Sequence, residues 1–107
     1  SLWRDTVTKQ PHSALAHSNL GAALVGQGQA EEALPHYAEA LRLQPDYADA
    51  SYNMGVAFLE LGDVERAMDF FFRTLAVAPE FEPYLNPGFE FLKRGQVEVA
   101  RKYFLVS

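Results

Sequence analysis

The chain contains no cysteine. Disulfides, thiolate nucleophiles and cysteine-based zinc sites are thereby excluded. Histidine is scarce: His12, His17 and His36 are the three. They form no HExxH motif, and no two lie four apart on a helix, so neither metal binding nor imidazole catalysis is expected. The glycine-rich phosphate loops and the G-x-S-x-G elbow are also missing. No apolar run reaches the ~18 residues that span a bilayer. The opening Ser1–Asp5 lacks the basic-then-apolar layout of a leader, and with no initiator Met the sequence reads as a piece of a longer chain or a processed product. Nine Lys and Arg face fourteen Asp and Glu, a formal net charge of −5. An acidic surface repels phosphate, so nucleic acid and anionic membranes are not the expected partners. What is present is a chain of 107 residues, 49% apolar, long enough for one continuous core. It carries no constellation that suggests an enzyme, a cofactor or a metal.

Self-similarity organises the whole length. Pro11, Pro45 and Pro79 are spaced by 34 and 34; Gly21, Gly55 and Gly88 by 34 and 33. Gly28, Gly62 and Gly95, then Ala33, Ala67 and Ala100, then Tyr37, Phe71 and Phe104, keep the same intervals. A period in this range signals stacked supersecondary units. The glycines at 28, 62 and 95 suit the left-handed residue that closes a helix. Acidic residues follow them, Glu31 and Glu32, Asp63 and Glu65, then Glu98, where a helix dipole favours negative charge. Each proline of the first track stops the preceding helix. Helices are expected over 2–9, 13–27, 30–43, 47–61, 64–77, 82–94 and 97–106. Asn86-Pro87-Gly88 reads as an N-cap followed by proline at the first helical position, so the helix over 82–94 is expected to kink at 86–87 or to start there.

These tracks resemble the tetratricopeptide repeat: Leu20-Gly21, Leu24, Gly28, Ala33, Tyr37, Ala40 and Pro45 in residues 14–47; Met54-Gly55, Phe58, Gly62, Ala67, Phe71 and Pro79 in 48–80, with Thr74 where alanine is usual; and Gly88, Phe91, Gly95, Ala100 and Phe104 in 81–107. Residues 1–13 are then the end of a preceding repeat. The resemblance implies one all-α domain over 1–107, a right-handed superhelical array of antiparallel helix pairs. It also implies an interaction module whose first helices line a concave groove. Tyr37–Leu41, Pro45–Ala48 and Tyr52–Gly55 are similar to repeats of the O-linked N-acetylglucosamine transferase. Leu2–Val7 with Ala16–Gly21 look like repeat regions attached to membrane glycosyltransferases; either likeness implies a substrate- or partner-holding appendage, and the alternative role is a structural or oligomerisation segment of a larger protein, such as the repeat appendage of a glycosyltransferase.

The groove positions that the resemblance implies are Leu15, Ser18, Asn19, Ala22, Val25 and Gly26 in the first repeat. They are Asp49, Tyr52, Asn53, Val56, Leu59 and Glu60 in the second, and Glu82, Leu85, Asn86, Phe89, Leu92 and Lys93 in the third. Asn19, Asn53 and Asn86 share one phase, and a carboxamide can match both the N–H and the C=O of an extended peptide. Tyr52, Val56, Leu59, Phe89 and Leu92 make the same surface apolar, suited to a peptide or to an amphipathic helix. Asp49, Glu60 and Glu82 face only Lys93, which leaves out the basic clamp that grips a terminal carboxylate and points to a neutral or basic protein segment. The last helix, with Val97, Val99, Tyr103, Phe104, Leu105 and Val106, has no successor in the sequence to cover it, and Leu2 and Trp3 begin abruptly, so self-association, helix exchange or a longer parent chain is expected.

Overall fold

The computed structural model describes residues 13–106. The expected helix over 2–9 lies outside them. Six α-helices follow one another: α1 Ala14–Gly26, α2 Ala30–Leu43, α3 Ala48–Glu60, α4 Val64–Val77, α5 Glu82–Lys93 and α6 Val97–Val106, with a 3-10 turn at Pro79–Phe81 ahead of α5. Among the described residues there is no strand. Neighbouring helices pair, α1 with α2, α3 with α4 and α5 with α6, and the pairs stack in chain order.

Two sequence tracks turn out to be one contact. A Cβ on Gly21 would meet the Tyr37 ring at 2.7 Å, one on Gly55 would run into Phe71, and one on Gly88 into Phe104. In each repeat the first helix offers a glycine as the seat for the second helix's aromatic ring, so the backbones approach as closely as the ring allows. Tyr37, Phe71 and Phe104 are buried there beside Ala33, Ala67 and Ala100.

The turns inside the pairs share one construction. Gly28, Gly62 and Gly95 have φ of 80°, 80° and 73°, and the next residue's amide returns to the carbonyl of Leu24, Phe58 or Phe91 at 2.8–2.9 Å. That is the closure a left-handed glycine makes possible. Asp63 caps α4 by accepting from the Arg66 amide at 3.1 Å, and Ser13 caps α1 by accepting from the Ala16 amide at 2.8 Å. Gln29 provides no side-chain cap. The ion pairs Glu39–Arg42, Asp63–Arg66, Glu90–Lys93 and Glu98–Arg101 each join side chains three apart on a single helix.

The third repeat departs from expectation. α5 starts at Glu82 and runs uninterrupted to Lys93 with Pro87 inside it, so no helix starts at Asn86–Pro87. Pro87 is the sixth residue of α5 and has no amide to donate to the Pro83 carbonyl, a cost of about 3 kcal/mol in a regular helix, and the buried Leu85, Gly88 and Phe89 on either side hold the helix through it. Asn86 is interior to the helix and donates its carboxamide to Glu82 at 3.1 Å. The stacking changes as well. α2 lies along α3, whereas α4 meets α5 less extensively and α6 reaches onto α3. Rings bridge this junction, with Phe71 stacked on Phe104 at 4.4 Å between centroids and Phe89 against Phe71 and Phe72 at 6.1 and 5.2 Å.

Thr74 has a partner that accounts for it. Its hydroxyl lies 2.8 Å from that of Ser51 and 2.8 Å from the Phe70 carbonyl, and Ser51 reaches the Ala48 carbonyl at 2.9 Å. Two hydroxyl protons are shared among three contacts, and both residues are buried. Ser51→Ala and Thr74→Ala are each expected to cost about 1–2 kcal/mol. The double substitution should cost about 0.5–1 kcal/mol less than the sum, because the second change removes an already orphaned group. Urea unfolding of the four chains tests this, and strict additivity would dissolve the pair.

Candidate functional site

A concave pocket of about 360 Å³ opens between α1, α3 and α6. Ala22, Val25 and Gly26 form the α1 side; Tyr52, Asn53 and Val56 form the α3 side; Tyr37 and Phe104 close it from the second helices. The lining is apolar apart from the Asn53 carboxamide and the tyrosine hydroxyls, a few polar groups set in an apolar wall as ligand sites commonly have. Tyr52 is the most connected of these side chains. Its ring meets Phe71 and Phe81, each at 5.7 Å, and Phe104 at 6.4 Å, and its hydroxyl donates to the Phe104 carbonyl at 3.2 Å. Burial pushes the Tyr52 phenol above its ordinary range, with Tyr103 adding to the effect. Burial pushes the Tyr37 phenol up to about 12. Both rings therefore present neutral hydroxyls at physiological pH.

The expected groove residues divide. Asn53, Tyr52 and Val56 line the pocket together. Leu59 is 1% exposed and belongs to the core, as does Phe89 at 6%. Leu92 packs half-buried against that core. Asn19, Asp49 and Asn86 are exposed, and Asn86 is turned to Glu82 on its own helix. Sequence reasoning missed Tyr37 and Phe104 as pocket walls. Their periodicity marked them as packing residues, and nothing in it shows that one edge of each ring borders open space.

Two other clusters lie outside this pocket. The rings of His17 on α1 and His36 on α2 lie 5.6 Å apart between centroids, with Nδ1 atoms at 3.4 Å. One ring donates and the other accepts, which ties the two helices of the first repeat. Among the described residues no three His, Cys, Asp or Glu could hold a metal ion. A second cleft is lined by Leu41, Met54 and Phe70 together with Arg42 and Arg73. There Arg42 is held by Glu39 and Arg73 donates to the Pro45 carbonyl. Among the described residues no helix is long and apolar enough to cross a membrane.

Comparison with known proteins agrees with this architecture. A solved structure titled "Crystal structure of MamA" superposes with a TM-score of 0.71 at 28% identity, covering 88% of this chain and 56% of that one. The chain thus spans little more than half of that protein's length. No curated protein matches in sequence. Neither comparison bears on the likeness to glycosyltransferase repeats. The tetratricopeptide repeat profile matches residues 24–86, more than half of the chain. The glycine seats, the left-handed turns and the paired helices are thus the shared architecture of a family of protein–protein interaction modules, the tetratricopeptide repeat proteins, to which this chain belongs.

Proposed function

We propose that the concave pocket receives an apolar side chain of a partner's peptide or helix, with the Asn53 carboxamide bonding the partner's backbone beside it. The observation that carries this reading is the pocket itself: Ala22, Val25 and Val56 give it an apolar lining, and Asn53 lines it with them. An open apolar hollow of this kind gains by being filled. Asp49 is exposed and Glu60 half-buried on the same helix as Asn53, which favours a neutral or basic segment over an acidic one.

Affinity capture with the chain, followed by titration of the captured partner, tests the proposal. Asn53→Ala is expected to weaken binding about five-fold, the equivalent of one hydrogen bond near 1 kcal/mol, with the helical circular dichroism unchanged. Val25→Lys, which puts a charge into the apolar lining, is expected to weaken it further. A partner whose affinity is indifferent to both substitutions does not use this pocket.

A further inference from the structure

Cations are rare along most of the chain. Between residues 13 and 92 stand twelve carboxylates and three basic side chains, Arg42, Arg66 and Arg73. The fold gathers all three about one apolar cleft of about 300 Å³. Arg42 and Arg73 line it with Ala38, Leu41, Met54 and Phe70. Arg66 lies 5.8 Å over the Phe58 ring, which stacks on Phe70 at 5.6 Å. Helical phase produces the grouping: Ala38, Leu41 and Arg42 share one face of α2, and Arg66, Phe70 and Arg73 share one face of α4. Arg73 is the cation best prepared for a ligand. Among the described residues no carboxylate pairs with it. Its guanidinium is anchored by a donation to the Pro45 carbonyl at 3.2 Å, which leaves further N–H donors in the same fork. Arg42 and Arg66 pair with Glu39 and Asp63 on their own helices. Such exposed pairs are held weakly, and an incoming carboxylate can share them.

We infer that this cleft is a second docking site, separate from the concave pocket, and that its occupant is an acidic segment of a partner protein. An apolar side chain of that segment sits among Leu41, Met54 and Phe70, and Asp or Glu on either side of it bonds the Arg42 and Arg73 guanidiniums. Charge complementarity selects this occupant: the acidic surface elsewhere repels such a segment, and the arginines draw it to the cleft. A guanidinium can grip a carboxylate through two parallel hydrogen bonds, and the flexible Met54 side chain adapts to what is inserted. The inference does not depend on the groove reading.

A phage-displayed library of random heptapeptides, selected on the whole chain, supplies the probe. The enriched peptides are expected to carry Phe, Leu or Met flanked by Asp or Glu. One of them, synthesised and labelled, should bind about tenfold more weakly when Arg42→Glu and Arg73→Glu are combined, and more weakly as salt is raised. Ala38 is exposed and lines the cleft, so it tests the charge without removing an arginine. Ala38→Glu should weaken binding about tenfold and Ala38→Lys should strengthen it about threefold, opposite responses that a change in folding would not produce. Enriched peptides without acidic residues, or an acidic peptide indifferent to the Ala38 pair, overturn the inference. So does sedimentation showing dimers of the chain that Ala38→Glu abolishes, which would put a second copy in the cleft. Val25→Lys separates this site from the concave pocket. Acidic-peptide binding should survive it, and loss there with no response at Ala38 would overturn the second site while leaving the groove standing.

Discussion

Phe71→Ala is expected to lower the unfolding free energy by about 3–5 kcal/mol. Phe71 is 0% exposed. Its ring fills the glycine seat at Gly55, stacks on Phe104, and touches Tyr52 and Phe89. Removing it empties the middle of the second repeat and the junction with the third at once, and the fixed backbones of α3 and α4 cannot close the hole. A domain of this size is stable by roughly 5–15 kcal/mol, so the loss is a large fraction of the whole. The neighbouring Phe72 makes the control: it is 54% exposed, and Phe72→Ala is expected to cost no more than about 1 kcal/mol. Urea midpoints of the two chains decide the matter, and similar values for both would show that the junction is not packed as described.

Gly55→Ala is the second. In an exposed helix interior, alanine for glycine stabilises by about 1 kcal/mol. Here the sign reverses, because the new methyl would fall on three atoms of the Phe71 ring, the farthest at 3.0 Å. That ring is enclosed and has nowhere to retreat, so overpacking is expected to win, with a net loss of about 1–3 kcal/mol. Gly26 gives the opposite case on the same fold. It ends α1, and a Cβ there meets nothing within 4 Å, so Gly26→Ala should stabilise by about 0.5–1 kcal/mol. Combining Gly55→Ala with Phe71→Leu should cost less than the sum of the two, since the shorter side chain makes room for the methyl. Thermal unfolding would show it. A stabilised Gly55→Ala chain would remove the steric argument for the whole glycine track.

The architecture was legible because each repeating residue type carries one physical demand. A glycine facing an aromatic ring and a glycine at positive φ read alike in a sequence. Only their different offsets, at 21 and 28 in the first repeat, separate a close approach from a turn. The limits of the described helices followed from prolines and turn glycines to within a residue or two. Legibility failed where regularity was extrapolated. Local rules offered Asn86–Pro87 as a kink or a start within the helix expected over 82–94, and the start is not what forms, because the Pro79–Phe81 turn leads straight into α5 at Glu82. The lean of α6 onto α3 has no sequence signature, since Phe104 occupies its place in the period wherever the hairpin points. The Ser51–Thr74 and His17–His36 pairs were invisible for another reason. Each joins residues that the pattern treats as separate positions, and neither residue alone suggests a partner.

The four ion pairs named earlier have a consequence for how the stack responds to its surroundings. Each is a local clasp on one rod's outer face, so dissolved electrolyte can screen it without disturbing how one rod sits on the next. Between rods, the described contacts are dominated by rings, methyls and a few uncharged hydrogen bonds, whose strength varies with temperature and with denaturant far more than with ionic strength. The array should therefore keep its curvature from dilute buffer to brine while the stickiness of its acidic exterior changes, so that shape and encounter with a partner are set by different variables.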